Sequence, residues 1–221
     1  MANNVKSVIF DLDGTLADTM DDITASLNMM LRSCAYPEHS REEAVSFINR
    51  GARNLVRMAL PKEKQSDEAE VERCLKIYNG FYAEHYLDSI RLYDGIYELC
   101  ERLAASGVKL AVLSNKPHRF VTEIIEKLMP GLFRKAVGQK DGLPHKPDPT
   151  VPLMIAEELG AKPDEVVFCG DSDVDMTAAH NAGMIPAAVA WGYRSEDVLT
   201  AAGAKYIAHD AAELERIINN I

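Results

Sequence analysis

The chain has 221 residues, 47% hydrophobic and 26% charged, with a net charge of −10. That is enough for one large domain, or one domain carrying an insertion, around a core that needs no staples. The acidic balance lacks the basic footprint of a nucleic-acid-binding protein, so an anionic ligand must be held by local charge, such as a metal ion or a few placed cations.

The polar stretch from Met1 to Lys6 is expected to be neither a signal peptide nor a membrane span. Cys34, Cys74, Cys100 and Cys169 lie far apart in sequence, with no C-x-x-C spacing for zinc or redox work. Both features point to the cytoplasm, with reduced thiols. Cys169 falls in an apolar run and reads as a small core residue.

The first predicted strand, Ser7 to Phe10, runs into Asp11-Leu12-Asp13-Gly14-Thr15. Residues two apart on a strand share a side, so Asp11 and Asp13 should present their carboxylates together, and Gly14 permits a sharp turn. Two like charges about 4 Å apart repel by roughly 4 kcal/mol at an effective dielectric of 20. A shared proton or a cation relieves that repulsion. A plain Asp-rich turn explains the same five residues.

From about Ala17 to about Asp88 there is no strand pattern. Helical spacing runs through Met20 to Arg32, Arg41 to Asn49, Arg53 to Leu60 and Ser66 to Tyr86. So long a stretch is implausible as a loop in a compact domain, so it reads as a small helical subdomain inserted after the first strand.

Strands and helices then alternate. Helical spacing over Tyr97 to Ser106 precedes a strand over Val108 to Leu113, which ends in Ser114-Asn115-Lys116-Pro117. A helix is predicted to start there, with Pro117 in its first turn. A hydroxyl beside free N–H groups would make an anion site, and Ser114 or Asn115 as a simple helix cap explains the same residues. The helix over Arg119 to Met129 leads to a weak strand, Lys135 to Val137, and then to Gly142-Leu143-Pro144-His145-Lys146-Pro147-Asp148-Pro149. Three prolines make that loop a stiff mount for Lys146.

Beyond the helix Thr150 to Leu159, the strand Glu165 to Cys169 ends in Gly170-Asp171-Ser172-Asp173-Val174-Asp175. A helix follows, and Asp171 and Asp175 are four apart, a spacing that places both on one face, one turn from each other. The helix Val174 to Ala182 and strands over Pro186 to Trp191 and Lys205 to Ala208 complete the series. Alternation of this kind predicts an α/β fold, with a parallel sheet flanked by helices on both faces. Function in such sheets gathers at the carboxyl ends of the strands. Two acids, a hydroxyl, a lysine and two more acids stand at four of those ends, a pattern suited to a metal and a phosphate.

Taken together, D-L-D-G-T, S-N-K, K-P and G-D-x-x-x-D in this order resemble the haloacid dehalogenase superfamily and, within it, the phosphoglycolate phosphatase-like branch. The resemblance covers nearly the whole chain. It implies a Rossmann-like core at 1–16 and 91–221 and an inserted all-helical cap at 17–90. It implies that Asp11 is the nucleophile, giving an aspartyl-phosphate, and that Asp13 is general acid and then base. Mg²⁺ would bind the Asp11 carboxylate, the Asp13 backbone carbonyl and Asp171, with Asp175 supporting them. Ser114 and Lys146 would hold the phosphoryl oxygens, and Lys146 would also counter the charge on Asp11. Thr15, Arg50, Gly51 and Asn115 are expected at the substrate.

The second Asp of the motif, absent from the family's dehalogenases, favours phosphate-ester chemistry. Phosphoglycolate phosphatases often carry glycine-x-glycine-alanine in the cap; here Asn49-Arg50-Gly51-Ala52 stands in its place. Arg50 would meet a substrate carboxylate, while Arg50, Arg53 and Arg57 as a solvated helix face is the alternative, favoured for Arg57.

The resemblance therefore implies a Mg²⁺-dependent phosphatase acting on a small phosphorylated metabolite, 2-phosphoglycolate foremost. No nucleic-acid or membrane partner is expected, and the chain should be a monomer or weak dimer. A sugar phosphomutase of the β-phosphoglucomutase type is the alternative, although Ala52 stands where the mutases have a serine. A non-catalytic metabolite sensor is the third reading.

Overall fold

The computed structural model describes residues 4–221, so residues 1–3 of the polar start lie outside the described residues. The chain divides into two compact units, Met1–Ala17 with Leu92–Ile221, and Asp18–Arg91.

The first unit is built on β1 (Ser7–Phe10). After the second unit the chain continues through α5 (Ile96–Ala105), β4 (Lys109–Pro117), α6 (His118–Leu128), β5 (Lys135–Gln139) and α7 (Thr150–Leu159). It ends with β6 (Val166–Gly170), α8 (Asp173–Asn181), β7 (Ile185–Val189), α9 (Glu196–Ala201), β8 (Tyr206–Ala208) and α10 (Ala211–Asn220).

Six strands form one parallel sheet in the order β5-β4-β1-β6-β7-β8. This is a doubly wound Rossmann-like order, which turns back on itself at β1 and opens a crevice beyond the carboxyl end of that strand. All four β1 residues are buried, and Val8-Ile9-Phe10 is the kind of apolar run found at the centre of a parallel sheet. On one face Ile9, Leu113 and Phe168 pack with Ile155 of α7 and Ala178 of α8. Burying one such aliphatic side chain contributes roughly 1.5–3 kcal/mol.

The second unit is helical: α1 (Met20–Ser33), α2 (Arg41–Val45), α3 (Ala52–Ala59) and α4 (Glu68–His85), with a short 3₁₀ turn at Lys62–Lys64. On α1 the buried Met20, Ile23, Leu27, Met30 and Leu31 recur at helical spacing. Ser40 starts α2 with a full capping box to Glu43, and Asp67 caps α4 by accepting from the Glu70 N–H. Arg53 and Arg57 of α3 both bind Glu68 of α4, at 2.9 Å and 2.7 Å. They are therefore salt-bridged rather than simply solvated.

Several boundaries differ from the sequence reading. Two short strands, β2 (Ala17–Asp18) and β3 (Arg91–Leu92), pair as a ladder where the chain passes between the units. Two residues carry too little pattern to register as strands. β7 ends at Val189 rather than at Trp191, which puts Trp191 in the loop with Gly192 and Tyr193. α9 and α10 follow β7 and β8 without having been singled out in the sequence.

Candidate active site

The D-L-D-G-T segment is fixed by the neighbours of β1. Phe10 pairs with Val112 of β4 on one side and Cys169 of β6 on the other. The Asp11 N–H then donates to the Cys169 carbonyl at 2.8 Å. Asp11 is thus the first residue past the strand, held between two neighbouring strand ends. The Leu12 carbonyl accepts from the N–H groups of Leu16 and Ala17, at 3.0 and 3.1 Å, and so closes the turn. Gly14 sits there at φ +82°. A Cβ at that position would lie 2.3 Å from Asp171 Oδ2, so the turn needs glycine for space as well as for conformation.

β4 extends to Pro117, with a register irregularity against β5 between Leu113 and Pro117. A bulge of this kind re-aims side chains beside a site. Pro117 precedes α6 without side-chain capping, so neither Ser114 nor Asn115 is a helix cap. The Ser114 hydroxyl accepts the Lys116 N–H at 3.2 Å and lies 3.5 Å from Asp13 Oδ2. The Asn115 side chain pairs twice with the backbone of Lys146, as donor at 3.0 Å and acceptor at 2.9 Å. The Asn115 side chain thus positions the Lys146 loop.

Lys146 reaches two carboxylates, Asp11 Oδ1 at 3.0 Å and Asp175 Oδ1 at 2.6 Å. Asp175 does not share a helix face with Asp171. α8 begins at Asp173, with Ser172 as its cap, so Asp171 lies before the helix. Asp175 Oδ2 closes the cap by accepting from the Ser172 N–H at 3.2 Å and its hydroxyl at 2.6 Å. Both Asp175 oxygens are therefore engaged by the protein. Asp171 accepts from the Thr15 hydroxyl at 3.3 Å and the Tyr193 N–H at 2.8 Å. Thr15 is fully buried, with its hydroxyl on Asp171.

Carboxylate oxygens of Asp11, Asp171 and Asp175 lie within 4.8 Å of one another, and all three residues are buried. Burial, then like charge from Asp175, pushes the Asp171 carboxyl well above its ordinary range. Burial likewise raises Asp11 to about 7, against the pull of Lys146. For Lys146 burial acts downward, but Asp11 and Asp175 outweigh it and hold the ammonium above the usual lysine range. Three carboxylates face one ammonium, so the cluster lacks positive charge. An all-oxygen donor set with that deficit fits a hard divalent cation.

Two contributors were not legible in the sequence. Lys116 Nζ lies 2.7 Å from Asp13 Oδ1, with both side chains largely buried. The loop after β7 supplies the other: the Trp191 Nε1–H donates to the Thr15 carbonyl at 3.1 Å. A Cβ at Gly192 would lie 2.2 Å from the Asp171 Cβ. The Gly-Tyr pair at a strand end was the available signal.

Arg50 and Gly51 belong to the helical unit, with Gly51 capping α3 at φ +82°. Asn49 stands at φ +79°. The position that resembles a family glycine is therefore left-handed, and Asn is among the few other residues that adopt that region readily.

A family model for haloacid dehalogenase-like hydrolases matches residues 8–189. Phosphoglycolate phosphatase 1 of Pseudomonas aeruginosa is 37% identical over 191 residues, covering 84% of this chain and 70% of that protein. The phosphoglycolate phosphatase of Haemophilus influenzae is 31% identical over 224 residues, covering 99% of this chain and 100% of its own. A crystal structure from Lactobacillus delbrueckii, provisionally assigned as a phosphoglycolate phosphatase, superposes with a TM-score of 0.92 at 32% identity, covering 100% of both chains. Among the described residues no helix is long and apolar enough to cross a membrane.

Proposed function

This chain belongs to the haloacid dehalogenase-like hydrolase family and is a phosphatase; we propose that it hydrolyses 2-phosphoglycolate through an aspartyl-phosphate on Asp11, with Mg²⁺ as cofactor. The observation that carries the chemistry is the pair of differently paired acids. Asp11 sits on Lys146 beside Asp171, while Asp13 sits on Lys116.

Asp11 Oδ attacks phosphorus as the ester oxygen leaves, and Asp13 gives that oxygen its proton. Asp13 then takes a proton from the water that attacks the phosphoaspartate, and phosphate departs. Lys146 and Ser114 offset charge on the phosphoryl oxygens, the main source of stabilisation in a loose phosphoryl-transfer transition state. The Asp11 carboxylate, the Asp13 backbone carbonyl and Asp171 would hold Mg²⁺, which supplies the positive charge that the cluster lacks and keeps its buried acids ionised. Asp175 braces Lys146 and needs no place among the ligands.

The substrate assignment is supported by the similarity to phosphoglycolate phosphatases and by Arg50, just before the N-cap of α3. We assign substrate choice to the helical unit as a cap, with Arg50 meeting the carboxylate of 2-phosphoglycolate. The test is phosphate release from a panel of small phosphate esters, with and without Mg²⁺. The highest kcat/KM is expected for 2-phosphoglycolate. Conversion of glucose 1-phosphate to glucose 6-phosphate would support the mutase instead, and stoichiometric binding without release would support a sensor.

A further inference from the structure

Cys34 and Cys74 are far apart in sequence, yet their Sγ atoms lie 3.6 Å apart. Cys34 follows the last residue of α1, where the Tyr36 N–H returns to the Leu31 carbonyl at 2.9 Å and Ala35 takes φ +58°. This turn aims Cys34 at α4, where Cys74 faces inward one turn before the buried Tyr78. Both cysteines are free thiols, Cys74 buried and Cys34 only partly so.

We propose that Cys34 and Cys74 form a reversible dithiol–disulfide site, oxidised by a hydroperoxide and reset by a small thiol. A disulfide sulfur pair stands about 2.05 Å apart, so bond formation takes about 1.6 Å of approach. Cys34, the more accessible thiol, attacks first. Its thiolate displaces hydroxide from the peroxide O–O bond and becomes a sulfenic acid. Cys74 then attacks that sulfur, the S–S bond forms, and the sulfenic oxygen leaves as water. Two thiols lose two electrons and two protons, and one hydrogen peroxide becomes two waters.

The surroundings suit this division of labour. Burial, its largest cause, pushes the Cys74 thiol up to about 12, so Cys74 waits as the resolving partner. Its S–H lies 3.6 Å from Glu70 Oε1, and its proton departs with the sulfenic oxygen as water. Glu70 is itself fixed by the Tyr36 hydroxyl at 2.7 Å and by Arg73 Nε at 2.8 Å. The Arg73 guanidinium is close enough to interact electrostatically with both sulfurs. The bond would tie the end of α1 to α4 within the helical unit, and it requires nothing of the phosphatase reaction.

The test uses the full chain, reduced, desalted and treated with hydrogen peroxide under native conditions. Free thiols are then alkylated and peptides mapped without reduction. A Cys34–Cys74 cross-linked peptide is expected, lighter by two hydrogens than its reduced parts. Two of the four thiols should be lost and should return with dithiothreitol. Cys34→Ser, a change at the partly exposed position that keeps the fold, should leave Cys74 as a free thiol after the same treatment. Oxidation of Cys34 to sulfinic or sulfonic acid without a cross-link would overturn the proposal. So would a disulfide joining two chains through Cys34, or survival of both thiols.

Discussion

Lys146 and Asp175 form a buried ion pair, with Nζ 2.6 Å from Oδ1 and the side chains 2% and 0% exposed. Asp175 is also the acid that closes the cap of α8, so one carboxylate ties the ammonium mount to a helix start. Removing one partner of a buried pair typically costs about 3–5 kcal/mol. Asp175→Asn should therefore lower unfolding stability by that order in a denaturant titration, and should lower kcat as Lys146 loses its brace. Lys146→Met should abolish turnover.

The raised acid of Asp11 gives a pH signature in metal-free protein. A folded-state value of about 7, above the unfolded carboxylate near 3.8, means that the stabilising contribution is complete below the unfolded value. It is lost as pH rises through the folded one. Asp11→Asn lacks that titration. The difference in Tm between Asp11→Asn and the parent should widen from about pH 4 to pH 7 in favour of the variant and then level off. A constant difference across this window would contradict the assignment.

Gly192 leaves no room for a side chain beside Asp171. In Gly192→Ala the new methyl must displace Asp171 or the loop. Changes in groups that orient a metal ligand typically cost 10–100-fold in metal affinity. The Mg²⁺ concentration for half-maximal activity should rise by about that factor, measured at saturating substrate.

Arg50→Ala tests the proposed cap contact. The KM for 2-phosphoglycolate should rise by at least about tenfold, as expected for loss of a charge-assisted hydrogen bond. The KM for a neutral phosphate ester should barely move. Equal effects on both would remove the carboxylate role.

The sheet was legible because its strands are short apolar runs closed by glycines and acids. Parallel register then brings residues from separate motifs to one crevice, so Asp11, Lys146, Asp171 and Asp175 could be grouped without coordinates. Partnerships were not legible. Lys116 meets Asp13 across 103 positions, and nothing in S-N-K marks it as the partner of Asp13. Nor does the sequence show that the Thr15 hydroxyl reaches Asp171 or that the Asn115 side chain pairs with the Lys146 backbone. The four-residue spacing of Asp171 and Asp175 suggested one helix face, and the capping box at Ser172 moved the helix start past Asp171. Asn49 reads as a departure from a glycine pattern, yet its φ of +79° is one that glycine adopts readily.

The central claim is the covalent role of Asp11, tested most directly in Asp13→Asn with p-nitrophenyl phosphate and Mg²⁺. The good leaving group needs no acid, so phosphorylation proceeds, while hydrolysis of the phosphoaspartate lacks its base. The account predicts a burst of one equivalent of p-nitrophenol per chain, and acid-quenched protein carrying a phosphoryl group on Asp11 in its peptide map. Steady turnover without a burst, or a phosphoryl group on any other residue, would contradict it.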